Sequence, residues 1–148
     1  PCHLLRTRKR DAQGGIHIPF FLKKNKRIMN FAVHQAENKK IAEIQASEIV
    51  IHSTEDAMNL MGDLYYQGYD GLILHEEQVT PAFFDLKTKM AGEILQKFSN
   101  YRFPLVLIGD FSKFPSQSLQ NFIRESNKGR QVNFVRTLPE ALQLLSKP

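Results

Sequence analysis

The chain has 148 residues, 42% of them hydrophobic, and a formal net charge of +5. That length suits one domain able to bury a sizeable core, and no apolar run reaches the roughly 18 residues of a membrane-spanning helix. The charge is uneven: residues 1–28 carry +7 and residues 29–148 carry −2, so the basic character does not make the body a polyanion-binding surface.

Residues 1–28 differ in character from the rest of the chain. PCHLLRTRKRDAQGG is basic and aperiodic, and IHIPFFLKKNKRI joins a short apolar patch to a KKNKR cluster. The segment reads as a basic leader, disordered or non-native, with Met29 opening the domain. Two readings compete: a nucleic-acid arm over residues 6–27, which lacks aromatic residues at a useful spacing, and a targeting segment, for which it has little Ser and a weak amphipathic pattern. The single cysteine, Cys2, lies here. A cysteine-free body has no disulfide framework and no thiolate metal site, which suits a reducing cytoplasm.

From Phe31 to Gln35 and from Ile41 to Ile44, apolar and polar residues alternate. Glu37-Asn38-Lys39-Lys40 between them is a turn signal, predicting an antiparallel hairpin with one solvated face. EIVIH, residues 48–52, is rich in β-branched residues and predicts a third extended piece. Ser53 is a helix N-cap with acids behind it, and Ala57, Leu60, Met61, Leu64 and Tyr65 make one apolar face ending at Gly68. Gly71-Leu72-Ile73-Leu74 is a short apolar run, as in a strand covered on both faces.

Thr80-Pro81 is a cap followed by proline at the first helical position. Phe83 and Phe84 come next, in one short turn. Met90, Ala91, Ile94, Leu95 and Phe98 are the core face of the next helix, and Pro104 stops it. Gly92 inside that helix is expected to allow close helix–strand packing, or else close approach of a ligand or partner. Leu105–Ile108 is a second buried strand, and Ser116 caps a further helix. Val132–Val135 is a last strand, and Thr137-Leu138-Pro139-Glu140 is a capping box opening a final helix. The fold class is therefore α/β: one domain over residues 29–148, with a β-hairpin, then alternating strands and helices on a mostly parallel sheet.

Between Leu72 and Leu145 a strand leads to Phe84-Asp85. A helix with Ala91-Gly92 comes next, then a strand ending in Gly109, a helix, a strand at Phe134 and a closing helix. This order resembles the STAS domain of anti-sigma-factor antagonists, the SpoIIAA-like fold. The resemblance implies a regulatory, protein-binding module with a phosphoacceptor at the strand–Phe-Asp–helix junction, here Thr88. The family's Asp-Ser-Ser-Gly run is replaced by Asp85-Leu86-Lys87-Thr88, so no serine follows Asp85 directly. YYQGYDGLILHEE, FFDLKTKMAGEILQKFSNYR and GDFSKFPSQSLQNFIRESNKG more specifically resemble a bacterial family, domain of unknown function 4180. That resemblance implies no activity.

Ligands of open α/β sheets sit beyond the carboxyl ends of parallel strands. His75, Glu76 and Glu77 follow one such end, and Asp110 and Ser112 another. Asp85, Lys87 and Thr88 open the helix between them. If the strands are neighbours these residues share one rim, the expected ligand- or partner-binding surface. The bland alternative is a solvated acidic loop with a capping Asp85. Lys97, Tyr101 and Arg102 near the end of the helix that Pro104 stops, with Lys113, Arg124, Lys128 and Arg130 near the next one, are a second, anion-binding candidate. No dinucleotide fingerprint, phosphate-binding loop or metalloprotease motif is present, so no cofactor or metal is implied. The expected function is a non-enzymatic regulatory or ligand-binding module, cytoplasmic, with a protein or small-molecule partner and without membrane or nucleic acid. A small metal- or carboxylate-dependent enzyme using His75, Glu76, Glu77 and Asp110 is the alternative.

Overall fold

Five strands and four helices succeed one another in residues 30–147, the residues that the computed structural model describes. The expectations for the leading segment, Cys2 included, lie outside them. Strands β1 (Asn30–Ala36) and β2 (Lys39–Gln45) form the hairpin, in unbroken register from Asn30 opposite Gln45 to Ala36 opposite Lys39. The connection is shorter than expected: only Glu37 and Asn38 turn, with Glu37 at φ 60°. Helix α1 (Thr54–Tyr66), strand β3 (Gly71–His75), helix α2 (Met90–Asn100), strand β4 (Leu105–Ile108), helix α3 (Gln117–Ser126), strand β5 (Val132–Val135) and helix α4 (Leu138–Leu145) complete the chain. The sheet order is β1-β2-β3-β4-β5, antiparallel for the first pair and parallel thereafter.

The helix starts arise from the residues that mark them in sequence. Ser53 Oγ accepts the Asp56 N–H at 3.1 Å, and Ser116 Oγ accepts the Leu119 N–H at 3.1 Å. Thr137 and Glu140 cap one another through side chain and backbone. Each such cap satisfies an otherwise orphaned N–H and is worth about 1 kcal/mol. Gly68, at φ 90°, ends α1: its N–H reaches Tyr65 O, and Tyr69 N–H reaches Leu64 O. That pair of bonds is a Schellman turn.

The extended piece at residues 48–52 does not become a sheet strand. Ile51 makes one isolated parallel bridge to Val79. Val50 N–H and Ile51 N–H both bond to Gln78 O, while the Gln78 amide donates to Ile44 O and Ala46 O. Val50 and Ile51 are buried against the loop after β3 instead of extending the sheet.

The two sheet faces are covered unequally. Helices α1, α2 and α3 share a core with Ala42, Ile44, Leu72, Leu74, Leu105, Leu107, Val132 and Phe134. On the other face, among the described residues, only α4 packs, through Ala141 and Leu145, on Ala36, Ile41, Ile73, Val106 and Ile108. This accounts for the apolar runs of β3 and β4: both faces are dry there. Phe83, Phe98 and Phe103 are among the largest fully buried side chains, and truncating one to alanine removes about 3–5 kcal/mol.

Candidate functional site

β3 and β4 are neighbours, and His75 lies beside Ile108, so the two polar strand ends do adjoin. Aromatic packing holds the loops beyond them together. Phe84 stacks on Phe114 at 4.7 Å, and Phe111 meets Phe134 edge-on at 5.1 Å.

The rim residues do not converge on one point. Glu76 forms an ion pair with Lys113. Asp110 caps the short turn Phe111–Lys113: its carboxylate accepts both the Ser112 hydroxyl, at 2.6 Å, and the Ser112 N–H, at 3.2 Å. The Ser112 hydroxyl, and then the Ser112 N–H, hold the Asp110 carboxyl below its usual range. Asp85 likewise accepts the Lys87 N–H at 3.1 Å, which is the capping role. Thr88 Oγ1 lies 2.7 Å from Ala82 O and 2.8 Å from Asp85 O, and accepts the Met90 N–H at 3.3 Å. Thr88 thus ties the Pro81–Phe84 turn to the start of α2. Lys87 and Glu77 are exposed.

His75 turns away from the rim and onto the sheet face on which, among the described residues, α4 packs. Its Nε2 lies 2.7 Å from one carboxylate oxygen of Glu43, and His34 Nε2 lies 2.7 Å from the other. Three adjacent strands supply the three groups. Glu43 on β2 stands opposite Ala32 of β1 and Ile73 of β3, so His34 and His75 are its diagonal neighbours on the same face. Glu43 is 7% exposed. Burial pushes its carboxyl up, but the hydrogen bonds and electrostatic attraction of His34 and His75 together hold it below the usual range. An ionised carboxylate only accepts, so both histidines present an Nε2–H to it. A shallow depression beside the cluster is lined by Glu43, Gln45, Ser47, His75, Glu77 and Gln78.

Of the sequence candidates, only His75 belongs to this cluster; His34 and Glu43 were not expected. Their one local signal is the polar phase of the hairpin alternation, which looks like an ordinary solvated face. Among the described residues no group of three or more His, Cys, Asp or Glu side chains is arranged to hold a metal ion. Of the anion-binding candidate, Lys113 pairs with Glu76, Arg124 with Asn121 and Lys128 with Glu125, while Lys128 and Arg130 line one depression with Lys39 and Lys147. Among the described residues no helix is long and apolar enough to cross a membrane.

No curated protein and no solved structure matches the chain. Residues 36–145 match the family described as domain of unknown function DUF4180, and the chain belongs to that family.

Proposed function

We propose that this domain is a non-enzymatic regulatory module of STAS-like type, cytoplasmic, that binds a protein partner or small ligand on the sheet face that carries Glu43, at the carboxyl ends of its parallel strands. The observation that carries this reading is the buried Glu43 carboxylate held between His34 and His75 beside a shallow polar depression. A buried ionic cluster adds little net stability compared with apolar residues of similar volume. Titratable groups held this way beside a concavity are functional-site candidates on physical grounds. Glu43 and Glu77 make the depression acidic, so the matching group is a cation or a hydrogen-bond donor, such as a lysine or arginine side chain of a protein partner.

The enzyme alternative finds less support. Of its residues, Glu76 and Asp110 are engaged by Lys113 and by Ser112 respectively, and His75 faces Glu43. Groups already paired in this way are poorly placed to move a substrate proton.

The test is affinity capture with the full chain from its host, then binding of the purified captured partner to wild type and to His75→Ala. A loss of tenfold or more in affinity in the variant, with its fold retained by circular dichroism, supports the reading. Unchanged affinity overturns it.

A further inference from the structure

The two edges of the sheet are finished differently. At β5 the Asn127 side chain completes the edge. Its Nδ2 donates to Phe134 O at 3.2 Å, and its Oδ1 accepts the Phe134 N–H at 2.8 Å. β5 is also only four residues long and is followed by the exposed Arg136. Short length, charge and a covering amide are the usual protections of an edge strand.

β1 has none of these. It is seven residues long, NFAVHQA, and contains no Asp, Glu, Lys, Arg or Pro. Its register with β2 runs without a bulge. Val33, at its centre, is 53% exposed. In an antiparallel ladder every second residue directs its N–H and C=O away from the partner strand. Among the described residues, β1 backbone groups bond only to β2. Among the described residues nothing covers this edge, and its strand carries no Lys, Arg, Asp or Glu.

We propose that β1 pairs with β1 of a second copy of this chain, antiparallel about a two-fold axis through Val33, to make one continuous ten-stranded sheet. An isologous contact must be self-complementary, and this strand is. The two-fold sets Val33 against its mate, Phe31 against Gln35 of the second copy, and Ala32 against His34 of the second copy. No like-charged pair of Lys, Arg, Asp or Glu faces itself. The exposed Val33 side chain becomes a β-branched cross-strand pair, the kind that stabilises sheets. The two His34 residues become diagonal neighbours on the face that carries Glu43 and His75. The polar clusters of both copies then form one strip across the axis. That last consequence rests on the proposed binding face; the pairing itself does not.

The experiment is sedimentation of the full chain, under reducing conditions that exclude crosslinking through Cys2, from micromolar to sub-millimolar concentration. Wild type is expected to reach twice the chain mass. Val33→Thr keeps the branched, uncharged side chain and is expected to behave likewise. Val33→Lys sets two cations against each other at the axis and is expected to stay at the chain mass. Because Val33 is largely exposed, the lysine variant should keep the wild-type circular dichroism and thermal midpoint at low concentration. A wild type that remains monomeric throughout, or a Val33→Lys variant that still doubles in mass, overturns the proposal. The first leaves the edge without a second copy, and the second places the dimer contact elsewhere. Neither result touches the His75→Ala test of the binding face.

Discussion

Gly109, the residue after β4, makes room for Glu76, the residue after β3: a Cβ built on Gly109 would lie 2.6 Å from the Glu76 Cβ and 2.8 Å from its Oε1. The Cβ of Glu76 belongs to the stem of the side chain and cannot swing aside without moving the backbone. Phe111 Cζ, 3.3 Å from the same point, blocks the other direction. The Glu76–Lys113 ion pair passes through this gap and links the two strand-end loops. Gly109→Ala is therefore expected to destabilise the domain by about 1–3 kcal/mol, the usual range for overpacking. Urea unfolding of the two proteins measures this directly; an unchanged midpoint would mean that the loops separate freely.

The Glu43 cluster makes a pH-dependent contribution whose sign is fixed. The folded-state carboxyl sits below its ordinary value of 4.5. As the pH falls through that value, the unfolded chain binds a proton that the folded chain does not, so stability falls. The contribution is fully present above 4.5 and is lost toward the lower folded value. Glu43→Gln removes this part of the acid sensitivity. It retains the part due to Asp110 and Glu140, whose carboxyls are also held low, by Ser112 and by the Arg136 N–H respectively. Thermal midpoints measured across the acid range should therefore decline less steeply in Glu43→Gln than in wild type. Parallel declines would show that Glu43 contributes no proton linkage.

The helices were legible in sequence because their signals are local. Ser53, Ser116 and Thr137 each announce a cap within four residues of the N–H they receive. The buried strands β3 and β4 were legible as continuous apolar runs. Glu43 was not, because its burial is set by residues far along the chain. β2 reads locally as a hairpin strand with one wet face, yet Ile41 through Ile44 are all buried once β3 pairs with it and α4 packs behind Ile41. That His34 and His75 flank Glu43 depends on a strand order that no local pattern encodes. Gly92 misled in the opposite direction. A Cβ there meets no atom within 4 Å, so its helix position does not reflect tight packing within the domain.

The end of α2 carries a residue that its backbone disfavours. Arg102 has φ 53°, and its N–H bonds to Ser99 O while Phe103 N–H bonds to Phe98 O. This is the same Schellman geometry that Gly68 adopts after α1. A left-handed conformation costs a residue with a Cβ about 1–2 kcal/mol, partly offset by the greater freedom of glycine in the unfolded chain. Arg102→Gly is expected to stabilise by several tenths to about 1 kcal/mol. Gly68→Ala should destabilise by about 1 kcal/mol. Opposite shifts of the two thermal midpoints check the pair; shifts of the same sign would remove the turn as their common cause.

Thr88 connects the strongest family-level expectation to the structure. Its hydroxyl has one proton and two carbonyls in reach, Ala82 O and Asp85 O, and its oxygen also accepts the Met90 N–H. A single side chain so joins the Pro81–Phe84 turn, the Asp85 cap and the start of α2. Replacing the hydroxyl removes the donor and the acceptor together, a change worth about 1 kcal/mol for a capping residue. Thr88→Ala is expected to lose that amount, and Thr88→Ser to recover most of it. A phosphoryl group on the same oxygen would also abolish the donation to Ala82 and add negative charge at the start of α2, where the helix dipole favours it. The turn would then be released while the helix start is held. Hydrogen exchange read residue by residue distinguishes this from general loosening. In Thr88→Ala the amides of Phe83 and Asp85 should exchange faster, while those in the middle of α2, such as Ile94, should not change. Uniformly faster exchange through α2 would show that Thr88 supports the helix and not the turn.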